Sequence, residues 1–177
     1  MTRRLATHLL LLLAVLATIG CDQVTKHMAT SSLAGAPERS YLSGLVRVTY
    51  VENTGGFLGL GSDLPPAART AIFTGATGAM LVAVIVLAIR ERLEGWPLLG
   101  VTLFVAGGAS NWVDRVAHGR VVDFLNVGVG PVRTGIFNVA DVTLMLGGAV
   151  LLIAQLRRHG RTENPAGPTG GQHASGL

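Results

Sequence analysis

A chain of 177 residues that is 49% hydrophobic and only 14% charged lacks the composition of a water-soluble domain, which carries roughly a quarter charged residues. The net charge of +4 and pI of about 10.2 do not mark a nucleic-acid binder, because no basic stripe is interleaved with aromatics. The single cysteine, Cys21, excludes an internal disulfide and a Cys-rich metal site, and the five histidines show no ligand spacing.

The apolar residues are clustered in long runs, the pattern of a membrane protein. Leu5 to Cys21 is free of charge, follows Arg3 and Arg4, and at about 17 residues is at the short end for a span. The same features describe a signal peptide. Thr18-Ile19-Gly20-Cys21 even resembles a lipoprotein cleavage box with Thr at its first position, so one reading has the chain cleaved and anchored at Cys21. Three further apolar runs make an uncleaved first helix, over about 5–26, the more coherent reading. Asp22 and Lys26 share one face at its outer end. Taken alone they read as an exposed ion pair of little energetic weight.

Residues 38–66 differ in kind. Leu45 to Val51 is rich in β-branched residues and reads as a strand. Asn53-Thr54-Gly55-Gly56 is a turn signal, and Gly59, Gly61 and Pro65-Pro66 add breaks. Together they predict a small extramembrane sheet with a Gly-rich hairpin. A second apolar run follows over about 68–89, bounded by Arg69 and Arg90. A third, over about 96–115, is rich in Gly and Ala, which permit close helix approach in lipid. A loop over about 116–135 leads to the fourth, over about 136–157, closed by Arg157, Arg158 and Arg161. Residues 160–177 are polar and rich in Gly and Pro, and are expected to be disordered. The expected fold is an all-α membrane protein, one domain over 1–159, with four transmembrane helices and a small extramembrane β-sheet. The Arg residues at 3, 4, 90, 92, 157, 158 and 161 place both termini and the 90–94 turn in the cytoplasm. Residues 22–69 and 114–135 then face outward, although Arg115, Arg120 and Arg133 lie there.

Three of the five aspartates, Asp114, Asp123 and Asp141, fall in one stretch between the last two runs. Acids beside hydrocarbon-length segments are costly and point to function. Asn111, Asp114 and Arg115 share a helix face, and Asn138 and Asp141 have i, i+3 spacing. Two neighbouring aspartates cannot both ionise, so one activates water while the other donates a proton. That is aspartic-protease chemistry, and nearby Asn and Arg side chains orient a peptide or stabilise an oxyanion. Residue by residue, the bland readings are that Asp114 pairs with Arg115 and that Asp123 caps a helix or turn. Asp141, inside an apolar run, has no basic partner nearby in sequence. A second class of function is a small transport or ion-coupling protein, with Asp114, Asp123 and Asp141 as a proton or cation path. Against it, the two helix pairs show no internal repeat.

Five blocks occur together: Asp22-Gln23-Val24-Thr25-Lys26, Asn53-Thr54-Gly55-Gly56-Phe57, Gly107 to Arg115, Val121-Val122-Asp123-Phe124 and Phe137-Asn138-Val139-Ala140-Asp141. In order and placement they resemble the bacterial lipoprotein signal peptidase (signal peptidase II) family. The resemblance implies a four-helix aspartyl endopeptidase of the bacterial inner membrane, with a periplasmic β-cradle, a small periplasmic loop helix and a site near the periplasmic face. Its substrate would be a diacylglyceryl-modified prolipoprotein, cut just before the lipidated lipobox Cys. The family's catalytic dyad falls on Asp123 and Asp141, expected at the outer ends of helices three and four. Its supporting residues fall on Asp22, Lys26, Asn53, Gly55, Asn111, Asp114, Arg115 and Asn138. The resemblance further implies no metal or other cofactor, membrane lipid as a partner, a monomeric state and inhibition by globomycin-type cyclic peptides. The 53–57 block is one residue shorter than the family's usual Asn-x-Gly-Ala-Ala-Phe, and Ala109-Ser110 stands where another small-apolar pairing is usual.

Overall fold

The computed structural model describes residues 3–162; most of the tail expected to be disordered, 163–177, lies outside the described residues. The first element, α1 (Arg3–Leu33), is longer than the sequence suggests. Its inner stripe reads Asp22, Lys26, Ala29, Leu33, four buried residues at helical spacing, while Leu10, Leu13 and Leu16 point outward. Asp22 and Lys26 therefore lie in the body of the helix and not at its outer end.

A four-stranded antiparallel sheet follows in the order β1 (Arg39–Tyr41), β2 (Val46–Asn53), β3 (Val121–Val129) and β4 (Val132–Arg133). The region read as a 116–135 loop is thus mostly strand, and it supplies one of the two inner strands of the sheet, β3, and the edge strand β4. In place of a loop helix, the described residues hold short 3-10 turns at Leu42–Gly44 and Phe57–Gly59. Arg133 fastens the sheet's far end by donating to the carbonyls of Gly44 (2.8 Å) and Gly128 (3.1 Å).

A continuous helix runs from Pro66 to Arg90. It comprises α2 (Pro66–Arg69), a π-helical turn (Thr70–Ala76) and α3 (Thr77–Arg90). Trp112 donates to the Thr74 carbonyl inside that turn at 2.8 Å, using a backbone acceptor that the wider turn exposes. Two long helices complete the described residues, α4 (Gly95–His118) and α5 (Val139–Thr162). Among the described residues, three helices are long and apolar enough to cross a membrane: Leu5–Leu33, Pro66–Arg90 and Val139–Arg158. The fourth expected run is α4, which carries Ser110, Asn111 and Asp114 on its buried side.

Helix α4 packs against α1, α3 and α5, and small residues set how close it comes. A β-carbon on Gly107 would lie 2.3 Å from the Ala140 carbonyl oxygen of α5, and one on Gly147 2.3 Å from the Phe104 amide nitrogen. Gly147→Ala therefore forces two backbones apart and is expected to cost about 1–3 kcal/mol. Gly148→Ala, whose added methyl meets nothing within 4 Å, is the matched control. Thermal unfolding in detergent separates them; equal midpoints would contradict this account of the α4–α5 contact.

Candidate active site

The site is assembled where β2, β3 and the start of α5 meet. In the antiparallel register Val51 pairs with Asp123 and Asn53 with Val121, so Asn53 and Asp123 are diagonal neighbours on one face. The Asn53 amide donates to Asp123 Oδ2 at 2.8 Å and to the Gly56 carbonyl at 2.9 Å. Asp123 thus stands on a strand, not at a helix end as expected from the sequence. Strand β3 also bridges to Phe137, which accepts from the amides of Phe124 and Leu125 and donates to the Leu125 carbonyl. This bridge delivers Asn138, the next residue, beside Asp123.

Asn138 then begins α5 through a reciprocal capping box. Its side-chain oxygen accepts from the Asp141 amide at 2.9 Å, and its own amide N–H donates to Asp141 Oδ2 at 3.1 Å. Its side-chain NH2 donates to Asp123 Oδ1 at 2.6 Å and to Asn111 Oδ1 at 3.2 Å. One residue therefore hydrogen-bonds both aspartates. From the other side, the Asn111 amide donates to Asp141 Oδ1 at 2.8 Å. Each carboxylate is held at both oxygens, Asp123 by Asn53 and Asn138, Asp141 by Asn111 and Asn138. Burial pushes the Asp123 carboxyl above the usual carboxylate range, against the opposing pull of the Asn53 and Asn138 amides, Lys26 and Arg115.

A second polar layer lies behind the first. The Lys26 ammonium has three N–H groups and meets three acceptors: Asp22 Oδ2 at 2.6 Å, Asp114 Oδ2 at 2.6 Å and Asn111 Oδ1 at 2.8 Å. Asp22 is fully buried, and its Oδ1 accepts from the Ala140 amide at 2.8 Å. It thereby satisfies one of the free N–H groups in the first turn of α5. Asp114 pairs with Lys26 and accepts from Gln23 at 2.9 Å, so the local Asp114–Arg115 pairing is not made. Arg115 instead reaches the hairpin, donating to the Gly55 carbonyl through Nη2 at 2.7 Å and through Nε at 3.2 Å. Gly55 has no room for a side chain, because a β-carbon there would sit 2.5 Å from the Leu60 carbonyl. Among the described residues, every buried side-chain nitrogen and oxygen has a hydrogen-bond partner.

All ten residues singled out from the sequence, Asp22, Lys26, Asn53, Gly55, Asn111, Asp114, Arg115, Asp123, Asn138 and Asp141, thus enter one network. Two participants were not foreseen. Ser110 is fully buried and donates to Asp22 Oδ2 at 2.7 Å, and Gln23 reaches Asp114. The spacing of Ser110, four residues before the next carboxylate on α4 and beside Asn111, was the only signal for it. Chemically, the arrangement offers two buried carboxylates in fixed, adjacent positions, with amide donors and a guanidinium beside them.

Comparisons with known proteins point to one family. The family described as signal peptidase (SPase) II matches residues 14–157. A protein of Bifidobacterium adolescentis named lipoprotein signal peptidase is 40% identical over 146 residues, 78% of this chain and 72% of that protein. One of Streptococcus pneumoniae with the same name is 33% identical over 145 residues, 81% of this chain and 90% of its own length. Among solved structures, a bacterial membrane enzyme determined by the in meso method at 2.3 Å resolution superimposes with a TM-score of 0.76. It covers 89% of this chain and 94% of its own at 24% identity, a likeness of fold.

Proposed function

The chain belongs to the signal peptidase II family of aspartic-type peptidases, and from that premise we propose that Asp123 and Asp141 are its catalytic pair and that it cuts diacylglyceryl-modified prolipoproteins just before the lipidated Cys. The observation that carries this reading is Asn138, which donates to Asp123 Oδ1 and Asp141 Oδ2 at once and so holds two carboxylates side by side. Two such neighbouring carboxyl groups share one proton, because like charges that close do not both ionise. The ionised member takes a proton from the attacking water, and the protonated member donates to the scissile carbonyl. The acyl chains of the substrate stay in lipid and position the peptide bond, so binding supplies orientation. Cleavage of a synthetic diacylated lipobox peptide by purified protein tests the reading.

Asn53, Asn111, Arg115 and Asn138 hold the pair and the substrate without moving protons, since none is a base at neutral pH. Asn53→Ala removes a donor to Asp123 and is expected to slow cleavage roughly 10- to 100-fold, the value of a hydrogen bond to a charged group. An unchanged rate would remove the 53–57 hairpin from the mechanism.

The protein is a multi-pass membrane protein, and we place it in the bacterial inner membrane with α4 as a fourth span. The short Arg-rich segments support cytoplasmic termini and a cytoplasmic 90–94 turn. The pair then lies near the periplasmic face, where an extracytoplasmic signal sequence is reached. Reporter fusions within 90–94 and after Gln155 should both read cytoplasm; an external reading at either refutes this orientation. A monomer and inhibition by globomycin-type cyclic peptides belong to the same proposal.

A further inference from the structure

The end of the bundle farthest from the aspartates carries a groove that the peptidase reading does not use. Helices α4 and α5 touch backbone to backbone at Gly100 and Gly147, where a β-carbon on Gly100 would meet Leu151 at 2.8 Å. Toward the start of α4 and the end of α5, beyond that contact, a groove of about 1020 Å³ is lined by Trp96, Pro97, Val150, Ile153, Ala154, Arg157 and Arg158. Along α5 the residues at 150, 153, 154 and 157 follow helical spacing, so one stripe passes from aliphatic to cationic. Trp96 is 64% exposed, and an indole is a side chain favoured at membrane interfaces.

We propose that this groove binds one anionic phospholipid, an acyl chain against Val150, Ile153 and Ala154 and the phosphate headgroup against Arg157 and Arg158. Charge complementarity favours this occupant. Among the described residues no carboxylate pairs with either guanidinium. The 90–94 turn adds Arg90 and Arg92 against Glu91 and Glu94, so this end stays cationic. An apolar slot ending in two guanidiniums suits an amphiphile whose polar end carries an anionic phosphate, and guanidinium forks match phosphate oxygens. A zwitterionic lipid offers the same chains without the net charge. The inference rests on α4 and α5 spanning the membrane and is independent of the catalytic assignment.

Native mass spectrometry of the full-length protein released from detergent, with phosphatidylglycerol or phosphatidylcholine of matched chains, tests it. The wild type should retain one phosphatidylglycerol with about tenfold preference over phosphatidylcholine. Arg157→Gln with Arg158→Gln should erase that preference, while Arg90→Gln with Arg92→Gln, which removes equal charge outside the groove, should keep it. Thermal unfolding of both double variants confirms that they are folded. Equal retention of the two lipids by wild type, an equal loss in both variants, or a groove closed by a second copy seen as a dimer would each overturn the proposal.

Discussion

Asp141→Asn is expected to lower turnover of a diacylated lipobox peptide by about a thousandfold or more, the scale of lost acid–base catalysis, while the protein stays folded. Asp123→Asn should do the same. The substitution keeps shape, but an amide cannot take a proton from water or pass one to a carbonyl. Each carboxylate accepts at both oxygens, and asparagine retains one of those acceptors, so the structural cost is one hydrogen bond, about 1–3 kcal/mol. The double variant should be little slower than either single one, because groups that act as a unit are not additive. Asp63→Asn, at an exposed position in the loop between β2 and α2, should be nearly silent. Rates from purified proteins assayed well below their thermal midpoints decide the matter. A single variant that retained a tenth of wild-type turnover would remove its aspartate from the chemistry.

The second large effect is on stability. Lys26→Met should cost about 3–5 kcal/mol, the penalty for breaking a buried ion pair by removing one partner. Lys26 is 4% exposed and is the cation held by both Asp22 and Asp114. Without it two carboxylates are left facing each other away from water, and Asp22 also holds the first turn of α5 through the Ala140 amide. Detergent unfolding curves for the variant and wild type measure this. A midpoint close to wild type would show that the network is redundant and that Asp22 and Lys26 matter for something other than the fold.

The long apolar runs made the helices legible, because hydrocarbon-length segments leave few other structures open to a backbone. The polar site was legible because Asn138 and Asp141, like Asn111 and Asp114, repeat at helical spacing. What failed were readings that looked only for near neighbours. Asp114 stands next to Arg115 in sequence, yet its partner is Lys26, 88 residues away. Asp123 was read as a helix end because it follows one apolar run, although Val121, Val122, Val127 and Val129 are the β-branched signal of the strand that holds it. The length of α1 escaped notice because beyond Lys26 only Ala29 and Leu33 are buried, too sparse a stripe among polar residues. Arg133 was invisible as a fastener, since it binds main-chain carbonyls that carry no sequence label.

Mass analysis of the products from a diacylated lipobox peptide tests the central claim most directly. Purified wild-type protein should release two fragments split at the bond before the lipidated Cys, with the diacylglyceryl group on the C-terminal fragment. Asp123→Asn and Asp141→Asn proteins should leave the peptide intact. A cut elsewhere, or the same cut made by either variant at a substantial rate, would contradict the assignment of these two carboxylates as the catalytic pair.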